Sequence, residues 1–362
     1  MKKRPTVKVI CLILIAFLLV LPFSSCKEKE EELPPPPEPI VSEEPVSEEP
    51  PPPEPELYAN TLTGLLDLSE AEKDLRPVAV MINNFKGAQP LYGVGSADLI
   101  YEAVAEGGIT RWLAVFANSV KIPETGSVRS ARPYYIDLAN GHNAIFVHFG
   151  DSAEANKELS KGVIDRINGM TDSGAFYRKT GLNRDIEHTA FTDGKRLSET
   201  ITRKKIRNTL NNAEGFMNFS LQPDDIAAWK TCNKLSIKFS GSYISGFDYD
   251  NQAEAYNMSQ FGSPKKDAQS GKALSFKNVF VVYASYKVIA TRSNTDLLGL
   301  DLSSGSGLYV TDGHAKDIKW SKGDGKQPMK FKDENGQELL VNRGKVYVAI
   351  VPSSNKSSTA IS

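Results

Sequence analysis

The sequence predicts an α+β protein: a mixed α/β amino-terminal domain followed by a β-rich antiparallel carboxy-terminal domain. Three observations carry this. Between residues 57 and 222, short apolar runs alternate with segments of helix length. Beyond Pro223, short alternating segments separated by Asp-Gly and Asn-Gly steps take over. Ahead of both, residues 1–56 form a leader and a proline- and glutamate-rich stretch that cannot build a core.

In the leader, Lys2, Lys3, Arg4 and Lys8 precede an apolar run from Val9 to Leu21, too short to span a bilayer comfortably. This is the pattern of a secretory signal covering residues 1–25. Small residues in Phe23-Ser24-Ser25-Cys26 resemble a lipobox, which predicts lipidation of Cys26 by acyl chains such as palmitate. Each buried CH2 contributes about 0.8 kcal/mol, so two or three chains anchor stably where one is marginal. The predicted location is the extracytoplasmic face of the cell membrane, with the membrane itself as first partner. Of the other cysteines, Cys11 leaves with the signal and Cys232, in "AWKTCNKLSIKF", reads as a small buried hydrophobe without a disulfide partner.

Residues 26–56 repeat VSEEP in tandem and PPPEP at an interval. Prolines withhold backbone donors and glutamates repel one another, so an extended tether is expected, reaching at most about 90 Å at about 3.1 Å per residue. The whole chain has net charge −1, but residues 57–362 carry 37 basic and 33 acidic residues. A mildly positive head on an acidic stalk suits an anionic envelope. It is far too weakly charged to indicate nucleic acid.

Within residues 57–222, strands are expected at 77–83, 110–118 and 144–150. Helices are expected at 96–107 capped by Ser96, at about 131–140, at about 152–161 and at 194–211. Within 223–362, "LSIKF", "VFVVYASY", "GLYVTDG", "DIKWSKG", "PMKFKD", "QELLVNRG" and "KVYVAIVP" read as strands of meandering hairpins. The chain lacks G-x-x-x-x-G-K-[ST], a helix-opening G-x-G-x-x-G, G-x-S-x-G and H-E-x-x-H, so no cofactor is expected.

The chemistry concentrates in "GSVRSARPYYIDLANGHNAIFVHFGDS". Ser130 is placed to cap a helix with Pro133 in its first turn, setting Arg129 and Arg132 beside exposed amides, an arrangement suited to an anion or partner. The opposing reading makes these arginines a charge-compensated network with Glu102 and Glu106, spaced i, i+4 on the expected helix, and with Arg111 beyond Gly107-Gly108. Both can hold at once. His148 at a strand end reads as a hydrogen-bonded core residue, His188 lies in an irregular segment, and His142 and His314 read as turn residues. A metal site would need His148, His188 and Asp151 or Glu187 to converge, which spacing does not indicate, and no metal is expected. Glu102 and Glu106 as a glycosidase pair are the weaker alternative to capping or arginine pairing.

"RPVAVMINN", "ADLIYEAVAEGGITRWLAVF", "GSVRSARPYYIDLA", "AIFVHFGDSAEA" and "KFKDENGQELLVNRGKVYVAIVP" together resemble the YerB-like family of bacterial lipoproteins. The resemblance runs from about Arg76 to Pro352. It implies a lipobox, a tether, a mixed α/β domain and a β-rich domain, and transfers no catalytic residue because the family has no established function. One departure is Glu187-His188-Thr189, where the family pattern has Pro-His-Asn. The leading functional expectation is a non-enzymatic, membrane-tethered binding or scaffold protein whose partner is a wall polymer or an envelope protein. The alternatives are an envelope glycopolymer hydrolase or transferase using Arg129, Arg132, His148 and His188, and a solute-binding lipoprotein. No catalytic residue is assigned.

Overall fold

A 12-stranded sheet runs through both halves of the sequence. The computed structural model describes residues 55–210, 216–220, 226–292 and 295–362. Cys26, the signal and the tether to Glu54 lie outside them. The amino-terminal half contributes β1 (Val78–Asn83), β2 (Leu99–Val104), β3 (Thr110–Phe116), α1 (Pro133–Gly141), β4 (Ile145–His148), α2 (Ala153–Leu159), β5 (Arg166–Asn168) and α3 (Gly194–Arg203). The carboxy-terminal half contributes β6 (Lys234–Lys238), β7 (Ile244–Asp250), β8 (Ala255–Gln260), β9 (Asn278–Arg292), β10 (Thr295–Asp301), β11 (Ser304–Thr311), β12 (His314–Lys322), β13 (Met329–Lys332) and β14 (Val346–Pro352).

The order across the large sheet, after a short Lys230–Thr231 edge, is β12-β11-β9-β14-β2-β3-β1-β4-β5, with β10 on β9 and β13 on β12. The join between the halves is the parallel pairing of β14 with β2, from Val346 opposite Leu99 to Ile350 opposite Ala103. The carboxy-terminal half is predominantly antiparallel strand, as expected, and β14 also runs parallel to β9. Strands β6, β7 and β8 form the centre of a second, six-stranded antiparallel sheet.

Alternation along the central strands gives the large sheet two apolar faces. Ile100, Trp112 and Tyr347 face Leu235, Phe247, Tyr256 and Met258 of the second sheet, with Leu197 and Ile201 of α3 in the same core. Tyr101, Leu113 and Val348 face Tyr135, Ile136 and Leu138 of α1 and Leu159 of α2.

Two expected helices are corrected. Residues 96–107 are not a helix: Leu99–Val104 is a strand buried at all six positions, because β14 and β3 flank it and both of its faces are covered. A short run that is apolar on both faces suits a central strand, whereas a surface helix needs a polar face. The helix from Gly194 ends at Arg203 rather than near residue 211. Lys205 turns into the left-handed region at φ +54, and Ile206 N–H closes back on Ile201 O at 3.0 Å. The N-cap of α1 is Arg132, with no side-chain cap bond, so Ser130 is not the cap; its hydroxyl donates to Phe149 O at 3.2 Å instead. Ser152 does cap α2, accepting from Ala155 N–H at 3.1 Å, and Asp193 caps α3, accepting from Arg196 N–H at 2.9 Å. Replacing Asp193 by Ala should lower stability by about 1 kcal/mol. Chemical denaturation measures this, with a shifted midpoint and an unchanged slope expected.

Candidate functional site

The β2–β3 hairpin turns through Glu106-Gly107-Gly108-Ile109, where both glycines have positive φ and Ile109 N–H reaches Glu106 O at 3.0 Å. This turn sends the two glutamates to opposite sides of the sheet. Glu106 meets the guanidiniums of Arg111 and Arg132. Arg111 Nη2 donates to Glu106 Oε1 at 2.7 Å and Nη1 to Ser130 O at 2.5 Å. Arg132 grips the same carboxylate in a two-pronged contact, with Nε donating to Oε2 at 2.9 Å and Nη2 to Oε1, while its Nη1 donates to Ala131 O at 2.7 Å. Both arginines are buried. Burial, helped by Arg132, lowers the Arg111 guanidinium to about 10. Burial alone pushes the Glu106 carboxyl upward, but Arg111 and Arg132 outweigh it and hold it below the usual carboxylate range.

Arg129 is arranged differently. Its side chain keeps 26% of its surface exposed and donates to the 186–188 turn, to Glu187 O at 3.3 Å and to Glu187 Oε1 at 3.2 Å. Arg178 holds the same turn from another strand, donating to Ile186 O at 2.6 Å, with its guanidinium 4.6 Å over the Phe149 ring. Arg129, Ser130, Phe149, Asp151, Met170 and Arg178 line one open cleft of about 540 Å³. Met170 and Ile186 are among the most exposed apolar side chains described.

His148 is fully buried, ring-stacked on Phe146 at 5.1 Å. Nδ1 donates to Gly150 O at 2.7 Å, which in the neutral ring makes Nε2 the unprotonated nitrogen, and Nε2 has no hydrogen-bond partner among the described residues. His188 pairs through Nδ1 with the Asn83 amide at 2.8 Å and approaches Glu187 Oε1 through Nε2 at 3.4 Å. His142 is the C-cap of α1 and bonds the Tyr101 hydroxyl at 2.8 Å. The structure thus joins Glu106, Arg111 and Arg132 in one contact group, and Arg129, Glu187 and His188 in another, with His148 in neither. Cys232 is buried, and burial pushes its thiol up to about 11.

Glu102 is not the partner of these arginines; it is a separate and more connected feature that spacing did not reveal. Fully buried on the other side of the sheet, its Oε1 accepts from Asn84 Nδ2 at 2.9 Å, Thr110 Oγ1 at 2.5 Å and Gln260 Nε2 at 3.0 Å, while Oε2 accepts from Ser245 Oγ at 3.0 Å and from the Tyr347 hydroxyl. Five neutral donors from five segments converge on one carboxylate. The nearest amine in the network, Lys265, is held off by Gln89 and Asn84, whose side-chain oxygens lie 2.7 and 3.5 Å from Nζ, and burial lowers it to about 7. The only available signal was an acidic residue inside an otherwise apolar strand-length run.

Fold and site define a two-part α+β head, in which one sheet is shared by an amino-terminal part with arginine groups and a β-rich carboxy-terminal part. Residues 62–207 match the amino-terminal domain, and residues 235–348 the carboxy-terminal domain, of the protein family of unknown function DUF3048. The chain belongs to this DUF3048, or YerB-like, family. It is 32% identical over 305 residues to a Bacillus subtilis (strain 168) protein named "Putative lipoprotein YerB", covering 82% of this chain and 87% of that one. The crystal structure of the YerB protein from Bacillus subtilis superposes with a TM-score of 0.74 at 30% identity, over 84% of this chain and 99% of that one.

The buried histidines make a pH prediction. Burial lowers His142 from 6.5 to about 3 and also lowers His148 and His188, the latter helped by Arg129. Between the folded and unfolded values the unfolded chain binds more protons, so the stability present above 6.5 is lost as pH falls toward the folded pKa. Thermal melts should shift downward from about pH 7 to about pH 5, above the range where most carboxylates titrate. His142→Gln should flatten that slope. An unchanged slope would remove His142 as a contributor.

Proposed function

We propose that the chain is a non-enzymatic binding protein of the cell envelope, held at the extracytoplasmic face of the membrane by acyl chains on Cys26, with residues 27–56 as the tether. In this reading, the open cleft at Arg129 and Arg178 receives an anionic group of a wall polymer. Similarity to a protein named as a lipoprotein supports the setting, alongside the leader and the Ser-Ser-Cys step.

The observation that carries the reading is the division of labour among the arginines. Arg111 and Arg132 are buried against Glu106 and backbone carbonyls, which commits their charge internally. Arg129 retains exposure, and Arg178 lines the same cleft. Among the described residues, Arg129's ion-pair partner is Glu187, whose own side chain is 56% exposed and can turn away toward water; Asp151 also lines the cleft. The buried pair fixes the Ser130 carbonyl, and with it the backbone that carries Arg129. That is a rigid support for an exposed fork-shaped donor. Binding is favoured over catalysis because His148 is fully enclosed and Nδ1 of His188 is engaged by Asn83, so neither histidine faces the cleft as a free base.

The full-length lipidated chain in detergent should bind a purified anionic wall glycopolymer, and binding should weaken as salt rises. An Arg129→Ala, Arg178→Ala double variant should bind at least tenfold more weakly while melting within a few degrees of wild type. Equal binding by the folded double variant would return both arginines to a purely structural role.

A further inference from the structure

A second cleft, of about 690 Å³, opens on the opposite side of the Gly107–Gly108 turn, between the amino-terminal half and the tips of the second sheet. Its walls carry Phe85, Tyr243 and Phe261, with Gly108, Ser240 and Ser242 between them, and among the described residues Lys86 is its one ionisable amine and no carboxylate lines it. The size is that of a ligand site. Aromatic rings interleaved with hydroxyls and glycine backbone, without acids, match a polar but uncharged ligand that has apolar ring faces. We propose that this cleft binds a neutral glycan segment, whose C–H ring faces stack on Phe85 and Phe261, the latter backed by the buried Tyr243, while its hydroxyls bond to the serines and the turn backbone.

Two further observations show that the walls are held in place. Phe261 occupies the first position of a tight turn with φ +57, followed by Gly262 at +76. Asn or Gly ordinarily fills such a position, and a bulky aromatic there is strained. Strain of this kind persists where the surroundings over-determine it, and it clusters at ligand sites. The ring is fixed by the edge-on Tyr243 ring at 5.2 Å and by Lys265 Nζ at 4.9 Å. Phe85 leaves 38% of its surface exposed and is backed by the His188 ring at 5.3 Å.

The second observation is the sequence neighbours of the wall residues. Asn84 precedes Phe85, Thr110 follows Ile109 of the cleft floor, and Gln260 precedes Phe261; all three donate to Glu102. Ser245, two residues beyond Tyr243, does the same. Ser240 Oγ then donates to Gly108 O at 2.7 Å, tying the floor across the two halves. One buried carboxylate thereby positions four segments of the cleft, which is the support a stacking site needs.

The test uses the full-length chain in detergent, with chitohexaose and cellohexaose as probes, read by calorimetric titration and by saturation-transfer NMR. At least one probe should bind saturably at millimolar concentrations or below, with saturation transfer strongest at the sugar ring protons. Phe85→Ala and Ser242→Trp, both changes at exposed positions, should each weaken that binding at least tenfold. The Arg129→Ala, Arg178→Ala variant should bind the probes like wild type, so this outcome is independent of the anionic-polymer reading. Failure of both probes to bind, or equal binding by the folded Phe85 and Ser242 variants, would overturn the proposal.

Discussion

The architecture turns on one carboxylate. Glu102 lies in a central strand, on the face covered by the second sheet, and is buried with no arginine or lysine among the described residues bonded to it. A lone charge there would be strongly disfavoured, so its stabilisation falls to neutral donors. Two of them, Asn84 and Thr110, come from the amino-terminal half, and three, Ser245, Gln260 and Tyr347, from the carboxy-terminal half. The same side chain therefore enforces what the β14–β2 pairing begins: the two halves share a core. Burial and the neighbouring Glu102 both push the Tyr347 hydroxyl well above 10, keeping it a donor at any physiological pH.

Glu106 shows the opposite solution to the same problem four residues later. There the carboxylate is matched by two guanidiniums, and excess positive charge remains around it. Two arginines close to one acid are tolerable because each also donates to a backbone carbonyl, Arg111 to Ser130 O and Arg132 to Ala131 O. The surplus field extends outward to Arg129, whose charge acts on both Glu106 and His188. A sealed network inside and an exposed fork outside are consequences of one local charge imbalance.

Much of this was legible in the sequence, and the failures have physical reasons. Strands at 78–83, 110–116 and 145–148 and a helix beginning near residue 152 follow from local pattern. Hairpins at Asp312-Gly313 and Asn335-Gly336 follow from positive-φ residues, since Asp312, Gly313 and Gly336 all adopt it. The strand at 99–104 was not legible, because its short apolar run fits a buried helix segment as well as a strand, and one of the two strands that flank it, β14, lies more than two hundred residues away. That one misreading hid Glu102: on a helix it would share a face with Glu106, whereas in a strand followed by a glycine turn the two part. The pairing of Glu106 with Arg111 and Arg132 was visible as an option because all three residues flank turns close in sequence. The donors to Glu102 are up to 245 residues away and leave no local trace.

Comparing Glu102→Ala with wild type by denaturant unfolding, together with amide hydrogen exchange in β2, β8 and β14, tests this arrangement most directly. Removing the shared acceptor should lower stability by at least about 3 kcal/mol, since buried donors on both halves lose their partner together. Exchange protection should fall in β8 and β14 as well as in β2. A loss below about 1 kcal/mol, or protection lost in β2 alone, would contradict the claim that this carboxylate holds the two halves as one body.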